Sequence, residues 1–237
     1  KVKLNSGTSS YSGRLTIAGT MAEIEDDDGL GASGTPITMD GGGSIGVKYN
    51  LSLGSQRPIR FGSGGARIHV ASGATFSSAG GLSGDGEFRK SGPGTVKWTG
   101  GGSTSTGSVV VEQGILDYAA FTIQGSTGTI RVMDGARVVF NTTQGGSFLH
   151  EFTISGTGPA GEGALGIGGR GKTTSSVTLA GNSRIQIVPN TTLGFGGFFN
   201  GGGHDLEFTG SGRLNVTGGI TLASSGLTVS GTPYIAI

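Results

Sequence analysis

Pairs of apolar residues separated by one polar residue recur along the whole chain. The pairs that begin at Ile37 and Ile45, and those that begin at Val177, Ile185 and Leu193, follow one another at intervals of eight residues. Alternation with period two is typical of a β-strand with one buried face. No segment of ten or more residues has the 3.6-residue period of an amphipathic helix, so the pattern predicts many short strands and essentially no helix.

The spacing of the pairs predicts how the strands are connected. Strands this short would form poor hairpins, whereas three such steps make roughly 22–26 residues, which is a solenoid period. We therefore predict an all-β fold, a single-stranded right-handed parallel β-helix of about ten coils in a single domain over 1–237. The alternative is a β-sandwich, whose hairpins need turns such as Asp40-Gly41 and Asp134-Gly135.

Three stretches interrupt the period, at 25–34, 158–176 and 195–204. We expect them to project from the rod as loops, which is where function usually lies.

The composition restricts the class of protein further. The 237 residues include 52 Gly, which supply positive φ at tight turns, and no Cys, so stability has to come from a hydrogen-bonded ladder rather than from disulfides. A net charge of +1 without a basic stripe argues against nucleic acid as a partner. The sequence contains no run of 18 apolar residues, so no membrane span is predicted. Because residue 1 is Lys rather than Met, we expect a mature or excised piece of a larger protein.

The stretch 81–118 carries the most specific motif. Its elements are Leu82-Ser83-Gly84-Asp85-Gly86, Lys90-Ser91-Gly92-Pro93-Gly94-Thr95, Thr106-Gly107 and Gln113-Gly114-Ile115-Leu116. This order resembles the autotransporter-associated β-strand repeat, also called the passenger-associated transport repeat. A weaker resemblance to the segment that often precedes the repeat covers 154–187.

The resemblance implies a secreted or outer-surface bacterial β-helical protein. Our first functional hypothesis is therefore a structural passenger module without catalytic activity, acting as a stalk, an adhesin-like spacer or a self-associating matrix component. The expected partners are the chain itself, end to end or laterally, because solenoid ends are open edges, and surface polysaccharide. No cofactor is expected.

Two alternatives remain open. One is a carbohydrate-binding module of a polysaccharide-processing protein. The other is a β-helix polysaccharide lyase or hydrolase, which needs clustered carboxylates and a nearby base. Carboxylates such as Asp117, Asp134 and Glu207 are scattered, and nothing aligns three of them at the coil period. We assign no catalytic residue.

Two groups of residues are candidates for binding. Asp26 and Asp28, in the acidic run 23–28, are candidate Ca²⁺ ligands, although their spacing does not fit an EF-hand and a solvated turn is the alternative. Phe198, Phe199 and His204 are predicted to form an aromatic surface for a ligand or partner, the alternative being that the two Phe cover a coil end.

Overall fold

The computed structural model describes residues 1–4, 7, 11–100, 102–119, 122–123, 128–142 and 150–237, with the backbone alone at 122–123 and 141–142. The described residues contain no α-helix and two short 3₁₀ turns, Asp28–Leu30 and Pro159–Gly161. The protein is an all-β solenoid of parallel sheets with about ten turns.

The strands of the described part are, in chain order, β1 (Val2–Leu4), β2 (Leu15–Ala18), β3 (Met21–Ile24), β4 (Ile37–Asp40), β5 (Gly43–Val47), β6 (Leu51–Leu53), β7 (Ile59–Phe61), β8 (Ala66–Val70), β9 (Thr75–Ser78), β10 (Leu82–Gly84), β11 (Phe88–Ser91), β12 (Thr95–Trp98), β13 (Gly102–Ser103), β14 (Val109–Val111), β15 (Gly114–Ala119), β16 (Thr122–Ile123), β17 (Thr129–Val132), β18 (Ala136–Thr142), β19 (Glu151–Gly156), β20 (Leu165–Thr173), β21 (Val177–Ile187), β22 (Thr192–Phe195), β23 (Phe199–Asn200), β24 (Leu206–Gly210), β25 (Arg213–Val216), β26 (Ile220–Thr221), β27 (Leu227–Val229) and β28 (Tyr234–Ala236).

Each strand pairs with the strand one coil further along the chain. Val96 in β12 is in register with Leu116 in β15, and Val138 in β18 is in register with Leu165 in β20, so the second of these coils is the longer one. Every pairing between described strands is parallel, which confirms the predicted solenoid and is incompatible with a β-sandwich built from antiparallel hairpins.

The pairings define three faces of the rod. Face 1 runs through β1, β3, β5, β8, β11, β14, β17, β19, the first part of β21, β23 and β26. Face 2 runs through β6, β9, β12, β15, β18, the first part of β20, the second part of β21, β24 and β27. Face 3 is described in two stretches, β2 to β16 and the end of β20 to β28.

The core consists of columns of inward side chains that stack from coil to coil. Val96 and Trp98 form one of the apolar pairs separated by a polar residue, and both point inward from β12 and are fully buried. The ring of Trp98 meets that of Phe76, which lies one coil earlier, edge to face with 5.9 Å between centroids. Burial of each such side chain contributes roughly 1.5–3 kcal/mol, so stability accumulates coil by coil.

The corner after β11 is shaped by its glycines. Gly92 has φ +76°, and a Cβ there would lie 2.3 Å from the Val70 carbonyl oxygen of the preceding coil. A Cβ on Gly94 would lie 2.2 Å from the Ala71 carbonyl oxygen. These positions need Gly because the coils approach each other closely there, and the motif Lys90-Ser91-Gly92-Pro93-Gly94-Thr95 forms the corner between β11 and β12.

The three predicted projecting loops belong largely to the rod, which corrects that expectation. In 25–34, Leu30 is fully buried and joins the hydrophobic core. Strand β20 takes up much of 158–176, and β23 lies within 195–204. Irregular spacing therefore reflects variable coil length more than excursions from the rod.

Candidate functional site

The acidic run 23–28 is used mainly for internal contacts. Hydrogen bonds from Lys1 and Lys48 lower the pKa of the buried Glu23 to about 2. Asp26 accepts a hydrogen bond from the backbone nitrogen of Gly29 at 2.9 Å. Among the described residues no group of three or more His, Asp or Glu side chains is placed to hold a metal, so the Ca²⁺ site at Asp26 and Asp28 stays a prediction without further support.

Arg57 anchors this run to the rod. Its guanidinium is buried and donates to four backbone carbonyl oxygens, those of Leu30 at 3.0 Å, Gly31 at 3.1 Å, Thr35 at 3.2 Å and Asp27 at 3.3 Å. The same guanidinium pairs with the Asp27 carboxylate. Arg57 is therefore a structural cation, and alternation alone did not identify it because it lies in a corner between strands.

Lys90, the first residue of the corner motif, occupies a core position. It is in register with Ile68 and Val111 and is fully buried. Its Nζ donates to the carbonyl oxygens of Ser91 at 3.0 Å, Gly92 at 2.6 Å and Gln113 at 2.8 Å. Burial lowers the pKa of Lys90 to about 8, so the amine is still protonated at neutral pH. The ammonium group thus ties the corner to the following coil.

The structure corrects one residue of the predicted aromatic surface. Phe198 is 61% exposed, but Phe199 is fully buried and stacks on Phe195 with 4.4 Å between ring centroids. His204 is half-buried. In β23 the inward position is Phe199, so that side chain is part of the core, and any binding surface here consists of Phe198 with His204.

The carboxylates on face 1 are paired with arginines. Glu112 accepts from Arg89 at 2.9 Å and from Arg67 at 3.1 Å, and Arg89 also pairs with Glu87 at 2.6 Å. Although partial burial opposes it, the two guanidinium groups hold the pKa of Glu112 below its usual value. A carboxylate held ionised between two cations is a poor general acid.

Face 2 carries a mixed cluster that the sequence did not reveal. Asp117 lies beside Lys97, with 3.9 Å between Oδ2 and Nζ, and burial raises the pKa of its carboxyl while Lys97 and Arg137 oppose that rise. The Glu162 carboxylate also pairs with Arg137, with 3.9 Å between Oε2 and Nε, so both carboxylates of the cluster have a cation beside them. Arg137 itself is buried and donates to the Gly163 carbonyl at 2.9 Å, which assigns it to the frame of the rod.

The last coils carry a basic groove on face 3, which the sequence alone did not reveal either. We define it by Arg170, Lys172, Thr192, Arg213 and Tyr234, which line two adjoining depressions of about 430 and 400 Å³. The register aligns Arg170, Thr192, Arg213 and Tyr234 in one outward column. These residues come from four different strands, so only the register brings them together.

Parallel pairing throughout the described strands makes this a β-solenoid protein of about ten turns. Over 156 residues, 62% of the chain, it is 30% identical to the protein named "Adhesin BmaC autotransporter" of Brucella suis biovar 1 (strain 1330). The chain spans about 4% of that protein's length. No family model and no solved structure matches the chain.

The solenoid and this similarity together are consistent with a passenger-type protein of the bacterial surface or a secreted one. The similarity does not identify the individual repeat family. Within the described part of the chain, no helix is long and apolar enough to cross a membrane.

Proposed function

We propose that this chain is a non-catalytic structural segment of a bacterial surface passenger, which holds adhesive regions away from the cell. The observation that carries the proposal is the stacked parallel solenoid of about ten turns in a chain similar to part of an autotransporter adhesin. At roughly 4.8 Å per coil, ten coils extend about 50 Å, so the fold converts chain length into reach.

The side chains support a structural role. The buried cations Lys90 and Arg57 are engaged by backbone carbonyl oxygens, and the partly exposed carboxylate of Glu112 is paired with Arg67 and Arg89. Such contacts fasten one coil to the next. These three charged groups are therefore engaged in structural contacts and are not free for proton transfer.

Surface exposure is tested on intact cells of the bacterium that encodes the chain. Antibodies raised against the purified chain should label these cells, and the label should vanish when the gene is deleted. Antibodies to a periplasmic protein serve as the control for cell integrity. Labelling that requires permeabilised cells would refute the surface role.

The non-catalytic part of the proposal has its own test. The purified chain is incubated with uronate-containing and neutral polysaccharides, and new reducing ends and unsaturated products are assayed. We expect no release above buffer. Product formation that is lost in Asp117→Asn but kept in Asp205→Asn would support the lyase or hydrolase alternative instead.

We also propose that the chain associates with itself end to end. Where a solenoid of this kind ends, its last coil presents backbone groups that no neighbouring coil pairs, and a second copy of the same solenoid offers strands of matching direction and spacing.

A further inference from the structure

We infer that the basic groove on face 3 is a binding site for an acidic glycan, a polysaccharide that bears carboxylate or sulfate groups. The inference rests on the proposed surface role and adds the chemical class of a ligand to it. It concerns a different place from the aromatic surface at Phe198.

The first argument is the lack of counter-charges in the groove. Most exposed cations of face 1 and face 2 in the described chain have a carboxylate partner, as Arg67, Arg89 and Arg184 do. No ion pair in the described part involves Arg170, Lys172 or Arg213, and no carboxylate lines the groove there. Three cations without carboxylate partners on one face favour an anionic ligand.

The second argument is the spacing of the charges. Arg170 and Lys172 alternate on one strand and lie about 7 Å apart, whereas Arg170 and Arg213 are separated by two strand spacings, roughly 10 Å. The cations are therefore distributed along an open groove rather than gathered around one point. Such a distribution matches a polymer with repeated single charges better than a small inorganic anion.

The third argument is the chemistry between the cations. Tyr234 is 56% exposed, and the guanidinium carbon of Arg213 lies 4.4 Å from its ring centroid. Thr192, Asn190 and Asn215 add neutral hydrogen-bonding groups. An amphipathic ring beside hydroxyl, amide and guanidinium groups suits a sugar, which presents C–H faces and hydroxyl groups together with its acid.

Nucleic acid is the other polyanion to consider. Duplex DNA carries a charge about every 1.7 Å along its axis, and its affinity depends on many phosphate contacts. Three cations on a chain of net charge +1 supply few such contacts. The sparser charge of an acidic polysaccharide fits the groove better.

The test is a titration of the purified chain with four polymers at low and physiological salt. Alginate presents carboxylates, heparin presents sulfates in addition, dextran is neutral, and duplex DNA presents phosphates. We expect binding of alginate, heparin or both, with little binding of dextran and DNA. Which of the first two binds more tightly identifies the acid group that the groove prefers.

Two variants locate the site. Arg213→Ser should weaken binding about tenfold or more, because a charge-assisted hydrogen bond contributes enough for such a change. Arg131→Ser is the matched control, since Arg131 is an exposed arginine on face 1 that also lacks an ion pair in the described chain. Circular dichroism and thermal unfolding establish that both variants remain folded.

Three results would overturn the inference: no binding of either acidic glycan at low salt, equal loss in the two variants, or DNA binding at least as tight. None of them would affect surface labelling of cells. The failure of the glycan site is therefore distinguishable from the failure of the proposed surface role.

Discussion

At the scale of single residues, buried cations fasten neighbouring coils through backbone carbonyl oxygens. Lys90 reaches three such oxygens and Arg57 reaches four. In a solenoid the corners leave carbonyl groups outside the sheet ladders, and a long cationic side chain satisfies several of them at once.

Lys90→Met should destabilise the protein by about 2–4 kcal/mol, because it leaves three carbonyl groups, two of them buried, without this donor while it keeps most of the volume. Urea unfolding measures the change. Lys97→Met is the control, since Lys97 is partly exposed and its partner Asp117 lies at 3.9 Å. A change at Lys90 no larger than that at Lys97 would contradict a structural role for this ammonium group.

Stability should also depend on pH through Lys90. Burial lowers the pKa of Lys90 to about 8, whereas in the unfolded chain it is about 10.4. Between these values the unfolded state binds the proton that the folded state has lost, so the free energy of unfolding rises with pH, by roughly 3 kcal/mol in all. Below pH 8 both states are protonated and the slope vanishes.

The comparison that isolates this effect is the wild-type chain against Lys90→Met at pH 7.5 and pH 10. Other titrating groups are the same in both proteins and cancel. The advantage of the wild type should increase at the higher pH. A constant difference would mean that Lys90 titrates alike in the folded and unfolded chains.

At the scale of the structural element, the repeating unit of the solenoid is one coil with its corners. Arg57→Ala should release the segment 25–35 from the rod, because the guanidinium supplies four hydrogen bonds and the partner of Asp27. We expect faster amide hydrogen exchange in this segment and a loss of about 3 kcal/mol in the free energy of unfolding.

Arg60→Ala is the matched control for this prediction. Arg60 is exposed on β7, close to Arg57 in the chain, and has no ion pair in the described chain. Exchange in 25–35 should be unchanged in this variant. Equal exchange in both variants would show that Arg57 does not hold the segment.

Most strands and their inward faces follow from the alternation of the sequence. Val96 and Trp98 are buried as the pattern requires, because a period of two determines which side chains face the core. The alternation did not identify Lys90 as a core residue, since a charged residue is ordinarily expected to face the solvent. It did not identify Phe199 as a core residue either, since two adjacent Phe residues do not show which of them faces inward.

The basic groove could not be derived from the sequence for a different reason. Arg170 and Arg213 are far apart in the chain, and they share a column only because each of them is in register with Thr192 on the strand between them. The coils of the described chain differ in length, so no fixed period gives the register. A site whose residues come from several coils can therefore be recognised only from the structure.

At the scale of the whole molecule, the proposed end-to-end association can be tested on the purified chain. Val229→Asp should shift the chain from oligomers to monomers at high concentration, because Val229 is 52% exposed on β27 and a carboxylate there opposes docking of a second copy. Sedimentation velocity over a range of concentrations measures this. Tyr49→Asp is the control, since Tyr49 is 69% exposed but lies away from the last coil.

Oligomers that persist in Val229→Asp but vanish in Tyr49→Asp would place the contact on the side of the rod instead. A wild-type chain that stays monomeric at every concentration would refute self-association altogether.

The parallel stacking of coils also has a mechanical consequence. The hydrogen bonds between coils run along the rod, so tension along the rod is carried by every coil in series, and a terminal coil, which has a neighbour on one side only, peels away first. Each released coil, of about 20 residues, yields roughly 70 Å of extended chain. In the proposed role as a surface segment, the chain would lengthen stepwise under shear, and the cell would dissipate a pull before its adhesive contact broke.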